Sequence, residues 1–142
     1  MYPLQHLFLG AYFAMFLFLF FPPIGFTGFL IIFLSSVLID VDHYLFYVYK
    51  KKDFNLRTAY GWYIKMGKRF RSLPSEKMEK SCYAFCFFHG VEILIIFLIL
   101  SFFSKYFLYI SIGFAFHLIL DIISELMLIG RIISKFSWRK IF

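Results

Sequence analysis

The chain has 142 residues, of which 62% are hydrophobic, 25% are aromatic and only 16% are charged, and its net charge is +7. A soluble domain is about 45–50% apolar and about 25% charged, so this composition excludes an ordinary soluble fold. Its two cysteines, four residues apart, do not form the framework of a disulfide-rich secreted module. We therefore expect an all-α integral membrane protein with a single domain over residues 1–142.

Four apolar runs predict four transmembrane helices, because about 20 apolar residues span a hydrocarbon core of about 30 Å. Pro22 and Pro23 cannot continue a helix and separate the first two runs. The N-terminus lacks the basic stretch and the cleavage site of a signal peptide, so the first helix should stay in the membrane. The prediction is a bundle of two helical hairpins, with helices over about 2–21, 24–49, 82–103 and 106–129, a basic loop over 50–81 and a basic tail over 130–142.

Lysine and arginine are concentrated on one side of these predicted helices. Ten of the fifteen lie between Lys50 and Lys80 and four lie in the tail, whereas only Lys105 falls on the opposite side. Because short cytoplasmic loops collect lysine and arginine, we expect the loop and both termini to be on the cytoplasmic side of the plasma or inner membrane. The basic residues adjoin membrane helices, so the expected partners are membrane lipids with anionic headgroups and not nucleic acid.

Aromatic and basic residues alternate in the loop between Phe54 and Arg71. This pattern has two interpretations, an interfacial and partly helical lid on the membrane surface or a plain solvated loop. In the first interpretation, Lys68, Arg69 and Arg71 would receive an anionic headgroup.

Nine ionisable residues lie in or at the edge of the apolar runs, where each costs about 3 kcal/mol on insertion scales. At about 1.5 Å of rise per residue, those on the later helices should lie about 10–15 Å from the cytoplasmic boundary. Asp42 lies about 160° around a regular helix from Asp40, so either it serves a second ligand position or the helix loosens there. The nine residues are His6, Asp40, Asp42, His43, His89, Glu92, His117, Asp121 and Glu125.

Histidines and carboxylates that project inward from facing helices build metal sites in helical bundles. Imidazole with carboxylate suits zinc better than magnesium or calcium, which prefer oxygen ligands. We expect Glu92 or Asp42 to act as general base in a metal-dependent hydrolase that cleaves a lipid or phosphoester with a metal-activated water. The expected metal ligands are His6, Asp40, His43, His89, His117 and Asp121.

The same residues allow a non-enzymatic alternative. The polar stripes could instead pair helices or relay protons in a non-enzymatic metal-binding, transport or scaffold protein.

Cys82 and Cys86 share a helix face before His89 and are interpreted as buried free thiols or, alternatively, as zinc ligands.

Four sequence blocks, "QHLFLGA", "LIDVDHYLF", "FFHGVEILIIF" and "IGFAFHLILDII", occur in this order along the chain. They resemble the YdjM-like family of inner-membrane metal-dependent hydrolases. The resemblance implies a membrane-embedded hydrolase in which the ligands named above and Asp42 match the family's positions. The family is itself similar to zinc-dependent phospholipase C and P1-type nucleases, which implies phosphoester substrates. The chain departs from the pattern at Ile39, where many members have proline, and at Ala84, where many have histidine.

Overall fold

The computed structural model describes residues 3–72 and 90–129, and all regular structure in this part of the chain is helical. This confirms the predicted all-α class for the described residues. A 3₁₀ turn over Pro22–Ile24 follows the first helix. The α-helices are α1 (Pro3–Phe20), α2 (Gly25–Leu38), α3 (Val41–Lys51), α4 (Leu56–Arg71), α5 (Val91–Leu100) and α6 (Lys105–Ile129).

Two helical segments are long and apolar enough to cross a membrane. They are Pro22–Lys51, which contains α2 and α3, and Lys105–Met127 in α6. Leu4–Phe20 and Val91–Leu100 are apolar but shorter. The first eight residues of the predicted third transmembrane helix, 82–89, lie outside the described residues. The arrangement with four membrane spans therefore stays a prediction.

The predicted continuous helix over 24–49 is interrupted at Ile39 and Asp40. The Asp40 N–H donates to the Val37 carbonyl at 3.2 Å, and the His43 N–H donates to the Asp40 carbonyl at 3.1 Å. These bonds connect residues three apart, as in a 3₁₀ turn, whereas an α-helix connects residues four apart. The structure therefore agrees with the second interpretation of Asp42, that the helix loosens at this point.

Helices α1, α2 and α6 pack against one another, and α5 packs on α6. Ala14, Ile32 and Tyr109, one from each of the three packed helices, form the buried centre of the bundle. Next to it, the rings of Phe13 and Phe116 stack with centroids 3.9 Å apart. Between helices in a membrane, such contacts contribute through van der Waals packing, because lipid tails are as apolar as these side chains.

Small residues let the backbones of α1, α2 and α6 approach closely at one level. A Cβ added to Gly113 would lie 2.5 Å from the Ile32 carbonyl oxygen and 2.0 Å from the Ser35 Oγ. On the other side of α2, a Cβ on Gly10 would lie 2.4 Å from the Ser36 Oγ. We call Gly10, Ser35, Ser36 and Gly113 the small-residue layer, because only side chains of this size fit between the three helices.

Helix α4 folds back along α3 as an antiparallel partner. Near the turn, the Tyr47 hydroxyl lies 3.1 Å from the Thr58 hydroxyl. Further along, the Trp62 ring lies 5.6 Å from the Tyr47 ring, and the Tyr63 hydroxyl donates a hydrogen bond to the His43 carbonyl. The basic loop therefore contains a helix whose aromatic face packs on α3, which differs from the plain solvated loop considered above.

The corner between α3 and α4 is organised around the carboxylate of Asp53. Its Oδ2 accepts hydrogen bonds of 2.5 Å from Thr58 and from Tyr47, and its Oδ1 accepts the Asn55 N–H at 2.9 Å. The Thr58 hydroxyl, the Tyr47 hydroxyl and the Asn55 N–H together lower the pKa of Asp53 below its usual range. The stabilisation from these bonds is complete above the usual carboxyl pKa and is lost as pH falls through the lowered pKa.

Gly113→Ala should lower the free energy of unfolding by about 1–2 kcal/mol, because overpacking outweighs the better helix propensity of alanine. The matched control is Gly61→Ala in α4, where an added Cβ meets no atom within 4 Å. That control should raise the free energy of unfolding by up to about 1 kcal/mol. Reversible unfolding in detergent measures both changes, and equal effects at the two positions would contradict the close approach at Gly113.

Candidate metal centre

Three side chains from different parts of the fold converge at one point. His6 lies on α1, Asp40 lies at the break between α2 and α3, and His117 lies on α6. One potential ligand atom from each lies within 4.8 Å of the other two. We call these residues the His–Asp–His triad. Both histidines are buried, with 3% exposure for His6 and 0% for His117.

The triad lies one helical turn from the small-residue layer. His6 precedes Gly10 by four residues, Asp40 follows Ser36 by four, and His117 follows Gly113 by four. Residues four apart share a helix face, so His6 and His117 project beside points of close backbone contact, and Asp40 meets them from the helix break. The layer therefore brings the three side chains within reach of one another.

The helix break provides the hydrogen-bond partner that orients His117. Since the Asp40 N–H turns to the Val37 carbonyl, the Ser36 carbonyl can accept a bond from outside its helix. The Nδ1 of His117 lies 2.7 Å from this oxygen. A carbonyl oxygen only accepts, so Nδ1 is the donor and Nε2 of the neutral ring presents a lone pair.

Carboxylates surround the Nε2 atom of His117. The Asp40 Oδ1 and the Asp121 Oδ2 each lie 3.7 Å from it. The other oxygen of Asp121, Oδ1, lies 3.3 Å from the His6 Nε2, so this carboxylate adjoins both imidazoles. The two imidazole rings stack with centroids 4.2 Å apart. An arrangement of lone pairs and carboxylates with so little exposure favours a bound cation or an added proton.

His43 lies between the two aspartates of the D-x-D-H block. Its Nε2 is 3.7 Å from the Asp40 Oδ1, and its Nδ1 is 3.7 Å from the Asp42 Oδ1. Asp42 is buried at 3% exposure, whereas His43 is half-buried. The break thus lets both carboxylates flank one imidazole, although a regular helix would direct them to nearly opposite sides.

The other predicted site residues lie elsewhere or outside the described side chains. Glu92 is half-buried in the first turn of α5, and Lys68 and Arg69 are exposed on α4. The side chain of Arg71 is not among those described. His89, Cys82 and Cys86 lie outside the described residues, so their predicted roles stay predictions.

The residues of the site fit a divalent transition metal. Two imidazoles with one or two carboxylates form a donor set that zinc and similar ions accept. The Nδ1 of His6 is buried and makes no hydrogen bond to the described residues, as expected for a nitrogen whose partner is an ion or a water. Two carboxylates also balance the charge of a divalent cation, which removes most of the penalty of burying them.

Comparison with protein-family models, with characterised proteins and with solved structures gives no match for this chain. The resemblance to the YdjM-like hydrolases therefore stays a prediction that depends on the four sequence blocks alone.

Sequence reasoning missed the residues that position the triad. Ser36 contributes a backbone carbonyl, which no side-chain pattern records, and Tyr63 bonds to a backbone carbonyl twenty positions away. One sequence signal was present. Each triad residue has a glycine or serine four positions away, on the side that faces the bundle centre.

Where the His117 ring of the metal-free protein is neutral, its proton should lie on Nδ1, bonded to the Ser36 carbonyl. At a pH of about 8.5, where an ordinary histidine is neutral, ¹⁵N-histidine spectra distinguish the two ring tautomers. The His117→Gln variant assigns the signals. A proton on Nε2 of neutral His117 would contradict the bond to the Ser36 carbonyl.

Proposed function

We propose that the protein is an integral membrane metalloprotein that binds a divalent transition metal, with zinc favoured, through His6, Asp40 and His117. Asp121 adjoins both histidines and is the fourth group of the site. The observation that carries this proposal is the convergence of the triad to within 4.8 Å from three separate parts of the fold. His43 and His89 stay predicted as additional ligands.

The proposed site lies in one half of the membrane. Asp40 follows Pro22 by 18 residues, a rise of about 27 Å, and Asp121 follows Lys105 by 16 residues, a rise of about 24 Å. A hydrocarbon core is about 30 Å thick, so we expect the triad in the half of the membrane opposite Pro22 and Lys105. The distribution of lysine and arginine makes this the cytoplasmic side, with both termini there.

We propose further that the site hydrolyses a lipid or phosphoester substrate. A bound metal would lower the pKa of a coordinated water to near neutrality and would polarise the oxygen of the bond to be cleaved. The residues of the chain hold the ion, exclude bulk water through the packing around His6 and His117, and accept a proton. Asp42, beside His43, and Glu92 on α5 are the candidate bases for that proton.

The substrate proposed is a lipid with an anionic headgroup. Helix α4 presents Lys65, Lys68 and Arg69 as exposed cations, and between Leu56 and Arg71 it has no acidic residue. Its aromatic side chains Trp62 and Tyr63 pack on α3, whereas these three cations are exposed. Near an anionic membrane surface each such charge contributes about 1 kcal/mol of attraction.

A second candidate is a non-enzymatic metal-binding or scaffold protein whose polar residues pair helices. The 3.3 Å separation between His6 Nε2 and Asp121 Oδ1 supports it, because this is a hydrogen-bonding distance that joins α1 to α6. In a metal-dependent hydrolase, the loss of a triad side chain should remove bound metal. In a scaffold, the same loss should lower only the stability of the protein.

The purified full-length protein should contain stoichiometric metal, most directly measured by elemental analysis in detergent. Asp40→Asn and His117→Ala should each remove most of that metal, because each deletes a ligand. Ser111→Ala is the matched control, a buried polar residue on α6 whose hydroxyl bonds only one turn back, to Phe107. No metal in the unmutated protein would sink the proposal, and variants that lose stability but keep metal would favour the scaffold.

The protein in lipid nanodiscs with zinc should hydrolyse an anionic phospholipid faster than a zwitterionic one, and mass spectrometry of the products identifies the bond that is cleaved. Lys68→Gln and Arg69→Gln should each weaken the apparent affinity for the anionic lipid about fivefold. Lys105→Gln, at the other end of α6, should leave it unchanged. Metal-loaded protein with no product from either lipid would refute the hydrolase while leaving the metal site intact.

A further inference from the structure

Tyr63 is tied directly to the backbone beside the triad. Its hydroxyl donates a hydrogen bond to the His43 carbonyl, and its ring lies 5.4 Å from the His43 ring. The Trp62 ring contacts the Tyr63 ring edge-on at 4.8 Å, which restricts the orientation of the phenol. A single side chain therefore joins α4 to the segment that carries Asp40 and His43.

The segment that Tyr63 contacts has weaker internal support than a regular helix. From Asp40 to His43 the backbone bonds of 3.2, 3.4 and 3.1 Å connect residues three apart. Such bonds have poorer geometry than those of an α-helix, so contacts from outside contribute more to the orientation of this turn. His117 contacts the Ser36 carbonyl before the break on the α6 side, and Tyr63 bonds to the His43 carbonyl after the break on the α4 side.

Helix α4 is itself anchored, which lets Tyr63 act as a fixed support. At its first turn the Asn55 side chain accepts the N–H groups of Arg57 at 2.9 Å and Thr58 at 3.3 Å, as an N-cap does. The carboxylate of Asp53 joins the same turn to Tyr47 of α3. Tyr63 thus presents its hydroxyl from a helix already attached to α3 at the opposite end.

We infer that Tyr63 is a positioning residue of the metal site, whose hydroxyl holds the turn that orients Asp40 and His43. The inference rests on the proposed metal site and extends it to a residue that does not touch the ion. Loss of the hydroxyl leaves the ring packing in place and frees the turn. The Asp40 carboxylate then samples orientations outside the ligand geometry, which weakens metal binding and alters the coordination.

The test compares Tyr63→Phe with Tyr60→Phe in the full chain in detergent. Tyr60 lies on the same helix and is 41% exposed, so its variant controls for the loss of a phenol from α4. Tyr63→Phe should weaken zinc binding about three- to tenfold, the effect of one lost hydrogen bond, and shift the visible absorption of bound Co²⁺. Tyr60→Phe should match the unmutated protein in both measurements.

The outcomes separate this inference from the metal site itself. An unmutated protein without metal would refute the metal site and the inference together. Metal bound equally by the unmutated protein and Tyr63→Phe, with the same Co²⁺ spectrum, would overturn only the role of Tyr63. A Tyr63→Phe chain that fails to fold would also overturn it, because the hydroxyl would then be a requirement of the fold and not of the site.

Discussion

The close approach of three helix backbones at the small-residue layer is the constraint on which the site depends. Histidine and aspartate side chains extend only a few ångströms from their backbones, so groups on three helices meet only where the axes are unusually close. Gly10 and Gly113 contribute no Cβ, and Ser35 and Ser36 fill the remaining space. Four residues further along the same faces, His6, Asp40 and His117 meet. A larger residue in the layer would move these three side chains apart.

The break at Ile39 and Asp40 solves a second problem, that of orienting a buried imidazole. A carbonyl inside a regular α-helix is already bonded to the N–H four residues later. Moving the Asp40 N–H to Val37 leaves the Ser36 carbonyl available to His117. The Asp40 N–H and the Ser36 carbonyl both keep a partner, as a buried apolar environment requires, while α2 and α6 gain a bond that selects one tautomer. The interruption that looks like a defect in an apolar helix is thus the feature that couples it to its neighbour.

Helical periodicity explains how much of the site could be predicted from the sequence. The spacing from His117 to Asp121 puts both on one face of α6, and the contacts of Asp121 with both histidines agree with that placement. The position of Asp42 could not be derived in this way, because the periodicity of a regular helix does not hold across the break. The contacts of Trp62 and Tyr63 could not be derived from the sequence either. A segment with interleaved aromatic and basic residues is compatible with a membrane surface and with a neighbouring helix. Those outcomes depend on tertiary packing between segments that the local pattern treats as independent.

The balance of charge bears on whether these polar residues bind a ligand or only join helices. If the role were to hold α1, α2 and α6 together, apolar side chains of similar volume would do it at lower cost, because buried ionic groups seldom repay their desolvation. Here Asp40 and Asp121, at 18% and 15% exposure, face the Nε2 atom of His117, and the proton of that ring lies on Nδ1, bonded to the Ser36 carbonyl. Carboxylates beside a directed lone pair form a favourable site for positive charge. A divalent cation would supply that charge, as would protons on the two imidazoles, and the proposal of a metal centre adds that the imidazole and carboxylate donors suit such an ion.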